Sequence, residues 1–363
     1  MHTVDLLMLA LVPYTLAICR CNHYDLTATD PAPSNHAVFT EYLATDFTQP
    51  NASLTWTSAP GADWQAQAYN VTPTAARGPY GKAAELSNVV LGGYGGEGLQ
   101  LWVRSQPLVD MIPIAEVVTA RTDILYGSFR VSMKTTAVNG TCGAFFFYHD
   151  DSQEIDMEFL SRQQQSKQHV LNLVLQSPAS VSAGDDAAGT PSFVPYQLSL
   201  DPTADFHEYR FDWLPGRVDM YADGVWLHSF SSNTSGRVVP DSPGAIHLIH
   251  WSNGDPGWSG GPPAQDAALE VQWARAWFNT SSSGGEDDDD CADDPPDCTI
   301  PPLGGPPAPA QVSASGTATA TATATGPAST PSHSGSTRYS SAALSISAAV
   351  VLVYMISLVQ LAR

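Results

Sequence analysis

Three carboxylates stand at alternate positions in the stretch Ser152-Gln153-Glu154-Ile155-Asp156-Met157-Glu158-Phe159-Leu160. In a β-strand, successive side chains point to opposite faces. Glu154, Asp156 and Glu158 therefore share one face, and Ile155, Met157 and Phe159 share the other. The apolar face requires a core. The acidic face sets three like charges in a row with nothing basic among them, and close carboxylates cannot all ionise freely. At least one member must hold a proton. A protonated acid beside an ionised carboxylate is what cleavage of a glycosidic bond requires. At roughly 3.3 Å per residue the outer Cα atoms lie about 13 Å apart, whereas a retaining pair works with carboxyl groups about 5–5.5 Å apart. The two Glu side chains must then lean inward, which a curved sheet allows and a flat one does not. The competing reading of the same alternation is a solvated outer face of an antiparallel strand.

A row of this kind has to be carried by a sheet, and strand signals dominate residues 39–278. Phe129, Val131 and Met133 alternate with Arg130, Ser132 and Lys134. Tyr209, Phe211 and Trp213 alternate with Glu208, Arg210 and Asp212, and Leu269, Val271 and Trp273 with Glu270 and Gln272. Residues 218–221 and 225–230 flank Ala222-Asp223-Gly224 and predict a hairpin. No long stretch carries a helical period. Many short strands with turn residues between them predict a sandwich or barrel.

The acidic stretch resembles the Glu-x-Asp-x-Glu signature of glycoside hydrolase family 16, in its form without a bulge. Phe206-His207-Glu208-Tyr209-Arg210-Phe211-Asp212-Trp213, followed by Val218-Asp219-Met220-Tyr221, resembles the family's later strands. His250-Trp251-Ser252-Asn253-Gly254-Asp255-Pro256-Gly257-Trp258 resembles a loop of its fungal cell-wall members. The resemblance spans residues 39–279. It implies an all-β, concanavalin A-like jelly-roll sandwich of two curved antiparallel sheets, with the substrate cleft across the concave one. It also implies that Glu154 is the nucleophile, Glu158 the general acid/base, and Asp156 the group that tunes both. Aromatic rings stack on sugar CH faces. Trp251 and Trp258, bracketing a Gly/Asp/Asn loop, are the candidate substrate-binding residues, and Tyr148 and His149 could line the same cleft. The alternative for each Trp is core packing. Phe159-Leu160 stands where the family's fungal chitin–glucan crosslinking members often carry a Trp, and is closer to the plant xyloglucan endotransglycosylases. The expected activity is retaining hydrolysis of β-glucan. The alternatives are a cell-wall transglycosylase joining glucan or chitin chains, and a non-catalytic lectin-like binder.

The remaining chain sets the context. Lys and Arg number 15 against 36 Asp and Glu, a formal charge of −21, which argues against a nucleic-acid partner. Residues 1–19 read as a signal peptide, with cleavage after Ala17 or Cys19, because their apolar core is too short to span a bilayer. Residues 20–38 form an N-terminal arm. Cleavage after Cys19 leaves Cys21, Cys142, Cys291 and Cys298, an even set that predicts two disulfides in an exported chain. The expected pairs are Cys291 with Cys298 and Cys21 with Cys142. Asn51, Asn70, Asn139, Asn233 and Asn279 open glycosylation sequons. No Cys/His spacing suggests a metal site, and no cofactor is expected. Residues 280–336 change to an acidic run and then to Pro, Ser, Thr, Ala and Gly, a disordered and O-glycosylated stalk by composition. Residues 337–363 end in an apolar tail. With small residues at Ser334 and Gly335 before it, this tail fits a glycolipid-anchor signal, and a spanning helix is the alternative. The expected partners are a cell-wall polysaccharide and, through the lipid, the plasma membrane.

Overall fold

The computed structural model describes residues 21–26, 37–56, 61–92, 98–165, 168–184, 186–232, 238–281 and 297–303. The expected signal peptide, Asn233, Cys291, residues 304–336 of the expected stalk, which include Ser334 and Gly335, and the apolar tail lie outside these residues, whereas residues 297–303 of that stalk are described and pack on the sandwich.

Among the described residues two large sheets pack face to face. One runs Phe193–Leu198, His169–Gln176, Gln153–Leu160, Cys142–Asp150, Ala245–Trp251, Met111–Thr119, Trp64–Ala66 and Leu54–Thr55 in spatial order. The other runs Val225–Ser231, Arg217–Ala222, His207–Leu214, Ile124–Lys134, Ala267–Thr280, Leu99–Val103 and Val89–Leu91, with Glu41–Asp46 also paired to Ala267–Thr280. The strands that carry the acidic row and its neighbours pair antiparallel throughout. This is the sandwich that the alternation predicts and the jelly roll that the resemblance implies.

The layers meet where the apolar halves of the alternating strands coincide. Ile155, Met157 and Phe159 enter one core with Phe145, Phe147, Leu171, Leu173 and Leu175 from the same sheet. Phe129, Val131, Met133, Tyr209, Phe211 and Trp213 meet them from the other. Phe159 contacts Tyr209 edge-on at 4.7 Å, and Phe145 contacts Phe211 at 5.0 Å. Asp223 and Gly224 turn the hairpin between Arg217–Ala222 and Val225–Ser231, both with positive φ (46° and 74°). Two such residues give a turn whose twist matches its strands.

The cysteine pairing differs from expectation. Cys21 is bonded to Cys298, and Cys142 is a free, buried thiol. The cause is a third, three-stranded sheet. Tyr24–Leu26 pairs antiparallel with Ala37–Phe39 and parallel with Cys298–Thr299, which brings Cys298 beside Cys21. Cys142 instead opens the strand beside the acidic row, out of reach of that sheet. Ile300, Tyr24, Leu26 and Phe39 pack with Leu214 and Trp277 of the second large sheet. Arg130, fully buried, donates to the Pro301 carbonyl at 2.6 Å. The packed chain therefore includes residues on both sides of 39–279. Among the sequons, Asn51, Asn70 and Asn139 are exposed. The Asn279 amide is engaged at both ends, accepting from Thr40 and donating to the Val38 carbonyl.

Candidate active site

The acidic strand lies third from one edge of its sheet, and the register states what flanks each carboxylate. Glu158 stands between Ala144 and Asn172, Asp156 between Phe146 and Val174, and Glu154 between Tyr148 and Gln176. All three carboxylates open into one cleft of about 740 Å³. Asp156, in the middle, is 5% exposed. Such a cleft is of the size that binds small ligands and is not a packing void.

Burial is the main force on the row. It pushes the Glu158 carboxyl up to about 7, opposed by the Cys142 thiol and by Lys82. Burial raises Glu154 further, to about 8, against a hydrogen bond from Asp156 that lowers it. Asp156 is raised well above the carboxylate range, by burial first and then by the charges of Glu154 and Glu158. The bond between Asp156 and Glu154 lowers Glu154 and raises Asp156, so the proton they share belongs on Asp156. All three carboxyls are thus held above the usual carboxylate range, and burial is what holds them there. The Cys142 Sγ, at 3.6 Å, donates to Glu158 Oε1.

Trp251 and Trp258 both line this cleft, and the loop between them is tightly built. Asn253 donates to the Ala76 carbonyl at 2.8 Å, and Gly257 N–H donates to Asp255 Oδ1 at 2.7 Å. Arg162, two residues past the acidic strand, donates from Nε and Nη2 to the carbonyls of Trp258 and Gly257 at 2.6 and 2.7 Å. Gly260 completes the turn at φ 96°, where a Cβ would come within 2.6 Å of Asn139 Oδ1 and 2.9 Å of Arg162 Cβ. Tyr148 stands beside Glu154 across the strand pair, with its hydroxyl bonded to Asp151 at 2.8 Å. His149 falls at the register break after Tyr148 and sits 2.7 Å from the Pro243 carbonyl, so it does not line the cleft. A bulged residue leaves the strict alternation.

Sequence reasoning missed three polar groups of the cleft. Asn172 and Gln176 alternate with buried Leu173 and Leu175 on the neighbouring strand, a pattern that could have marked them. Their carbonyl oxygens are buried and have no hydrogen-bond partner, so each is an acceptor available to a sugar hydroxyl. Lys82 also lines the cleft, from Gly81–Ala84, a segment with no readable period. Among the described residues no group of His, Cys, Asp and Glu could hold a metal ion.

Known proteins resemble this chain in sequence and in fold. A β-glucanase of Paenibacillus polymyxa is 32% identical over 141 residues, covering 37% of this chain and 52% of its own length. Congo red hypersensitive protein 1 of Saccharomyces cerevisiae is 27% identical over 151 residues, 42% of this chain and 26% of that one. The chain thus spans about half or less of the curated relatives it matches. The solved endo-β-1,3-glucanase of Pyrococcus furiosus superposes with a TM-score of 0.51 at 15% identity, covering 67% of this chain and 96% of that one. That likeness shows the shared sandwich. Residues 94–275, half of the chain and including the whole acidic strand, match the sequence profile of Glycosyl hydrolases family 16, and the chain belongs to that family.

Proposed function

We propose that this protein is an extracellular retaining glycoside hydrolase acting on β-glucan, with Glu154 as nucleophile and Glu158 as general acid/base. The observation that carries the proposal is the alignment of three carboxyls on one strand face, all open to a single cleft. Glu158, its carboxyl raised to about 7, gives its proton to the glycosidic oxygen as that bond breaks. The Glu154 carboxylate attacks the anomeric carbon and forms a glycosyl ester. Glu158, now ionised, takes a proton from water, whose oxygen displaces Glu154 and restores both groups. Asp156 keeps its proton throughout and donates it in a hydrogen bond to Glu154. Asn172, Gln176, Trp251 and Trp258 hold the sugars along the cleft. The β-glucanase names among the relatives support the substrate class.

Incubation with laminarin, lichenan and chitin oligomers tests the activity. Glu154→Gln should abolish turnover, Glu158→Gln should retain it only on substrates with activated leaving groups, and Asp156→Asn should lose less than either. Equal small losses in all three variants would reduce the row to a polar face. Binding without any product would favour the lectin-like reading.

Transfer to a sugar acceptor is the second reading, favoured by the clamped aromatic loop at one end of the cleft. Both outcomes pass through the same glycosyl-Glu154, and an acceptor that excludes water decides between them. A fluorescent oligosaccharide mixed with unlabelled β-glucan separates the two. Label moving into polymer means transfer, and reducing ends accumulating without label means hydrolysis.

Export to the cell surface is part of the proposal. It is supported by residues 1–19 and by the Cys21–Cys298 disulfide, a bond that persists in oxidising compartments. Attachment through a glycolipid rests on the tail at residues 337–363. Release of the full chain by a phosphatidylinositol-specific phospholipase tests it, and a requirement for detergent would replace the lipid with a spanning helix.

A further inference from the structure

Three cations line the cleft, and two of them are committed elsewhere. Arg162 holds the Trp258 loop, and Arg77 donates to the Gly184 carbonyl. Lys82 differs. Its segment, Gly81–Ala84, runs parallel to Met111–Thr119 with Lys82 opposite Ile112. Its ammonium lies 4.7 Å from the centroid of the Trp251 ring. That is cation–π distance. Among the described residues no carboxylate lies within ion-pair reach of it and no hydrogen bond ties it. Glu116, the carboxylate that acts on it most strongly, is occupied by the Tyr69 hydroxyl and by His247 Nδ1.

The register connects this ammonium to the carboxylate row. Trp251 stands directly across the strand pair from Cys142, whose Sγ contacts Glu158 Oε1. One ring and one thiol therefore separate Lys82 from the acid/base. We propose that Lys82 is a positioning residue of the reaction, whose positive charge over Trp251 biases the row and sets the pH range over which Glu154 and Glu158 ionise. The inference rests on the roles proposed above for these two residues. A positive charge in a shared, partly dry cleft favours every ionised carboxylate that it faces. The groups facing Lys82 are Glu116, Cys142 and Glu154, with Arg77 as the one like charge. Asp151, Asp156 and Cys142 face the row itself. The same charge lowers both Glu154 and Glu158 against their burial.

The experiment is the pH profile of kcat/KM for the full protein with Lys82→Met and Lys82→Arg. Methionine keeps an unbranched stem against Trp251 and removes only the charge. Both limbs of the bell should move to higher pH by about one unit, the size expected of one unit charge about 12 Å away at an effective dielectric of about 20. Arginine should restore the wild-type limbs. A packing role alone would change KM or the height of the bell and leave both limbs in place, which would overturn the proposal. Carbon-13 NMR titration of the Glu154 and Glu158 carboxyls in wild type and Lys82→Met gives the same answer without substrate. Unmoved titrations would reject the inference. A wild-type protein inactive on every glucan would instead count against the proposed function, and the titrations would still decide Lys82.

Discussion

Glu158→Gln should stabilise the protein, and only above the acid range. In the folded chain the Glu158 carboxyl titrates near 7 because burial penalises its charged form. In the unfolded chain it titrates near 4.5, its ordinary value. The folded state therefore binds more protons between these two values, and stability falls as pH rises through that window. Each pH unit costs about 1.4 kcal/mol, so moving from about 4.5 to about 7 amounts to roughly 3 kcal/mol that is fully lost above pH 7. Glutamine keeps the shape, never ionises, and can still accept from the Cys142 thiol. For a domain of this size about 2–4 °C accompanies each kcal/mol, so Tm should rise by about 6–12 °C at pH 8 and by almost nothing at pH 4. Calorimetry or circular-dichroism melts of wild type and variant at half-unit pH steps provide the measurement. A gain that is the same at pH 4 and pH 8, or no gain at either, would show that burial does not raise this carboxyl. The proton-donor role assigned to it would then lose its physical basis.

Two further outcomes are expected. Replacing Cys21 and Cys298 with Ser opens a loop of 277 residues in sequence separation, which should lower stability by about 2–5 kcal/mol. It should leave kcat at 25 °C unchanged, since the disulfide-bonded sheet packs on the second large sheet and not on the cleft; a large change in kcat with Tm unmoved would contradict that placement. Arg162→Met should free the Trp258 loop and reduce label transfer, or raise KM, several-fold more than it reduces kcat for reducing-end release, and equal losses in all of these would mean that the clamp serves the fold alone.

What could be read from the chain follows from how local each signal is. The face on which Glu154, Asp156 and Glu158 stand is written in the period of their own strand, and the core agrees, with Ile155, Met157 and Phe159 buried. The hairpin at Asp223-Gly224 is equally local. The Cys21–Cys298 bond was not legible, because it depends on a parallel pairing between Tyr24–Leu26 and Cys298–Thr299 that spans almost the whole described chain. A separation of seven residues made Cys291 a natural partner for Cys298, and only the arm's return to the second sheet prevents it. His149 was grouped with Tyr148 only because both stand just before the motif, and the register break after Tyr148 leaves it against the Pro243 carbonyl. Lys82 was missed for the opposite reason. Its four-residue strand has no period of its own and gains a place in the cleft only through Met111–Thr119.

The acidic strand also shows how the fold sustains an unfavourable site. Burying a carboxyl row and leaving the oxygens of Asn172 and Gln176 without partners both cost stability. On the opposite face of the same strand, Ile155, Met157 and Phe159 are almost completely buried. At about 1.5–3 kcal/mol per buried side chain they contribute roughly 5–9 kcal/mol relative to exposure. The two effects cannot be separated by moving the strand, because a shift of one residue would exchange its faces. Register is therefore held by the core and position by the register, so the carboxylates stay aligned in the cleft although their own interactions resist it.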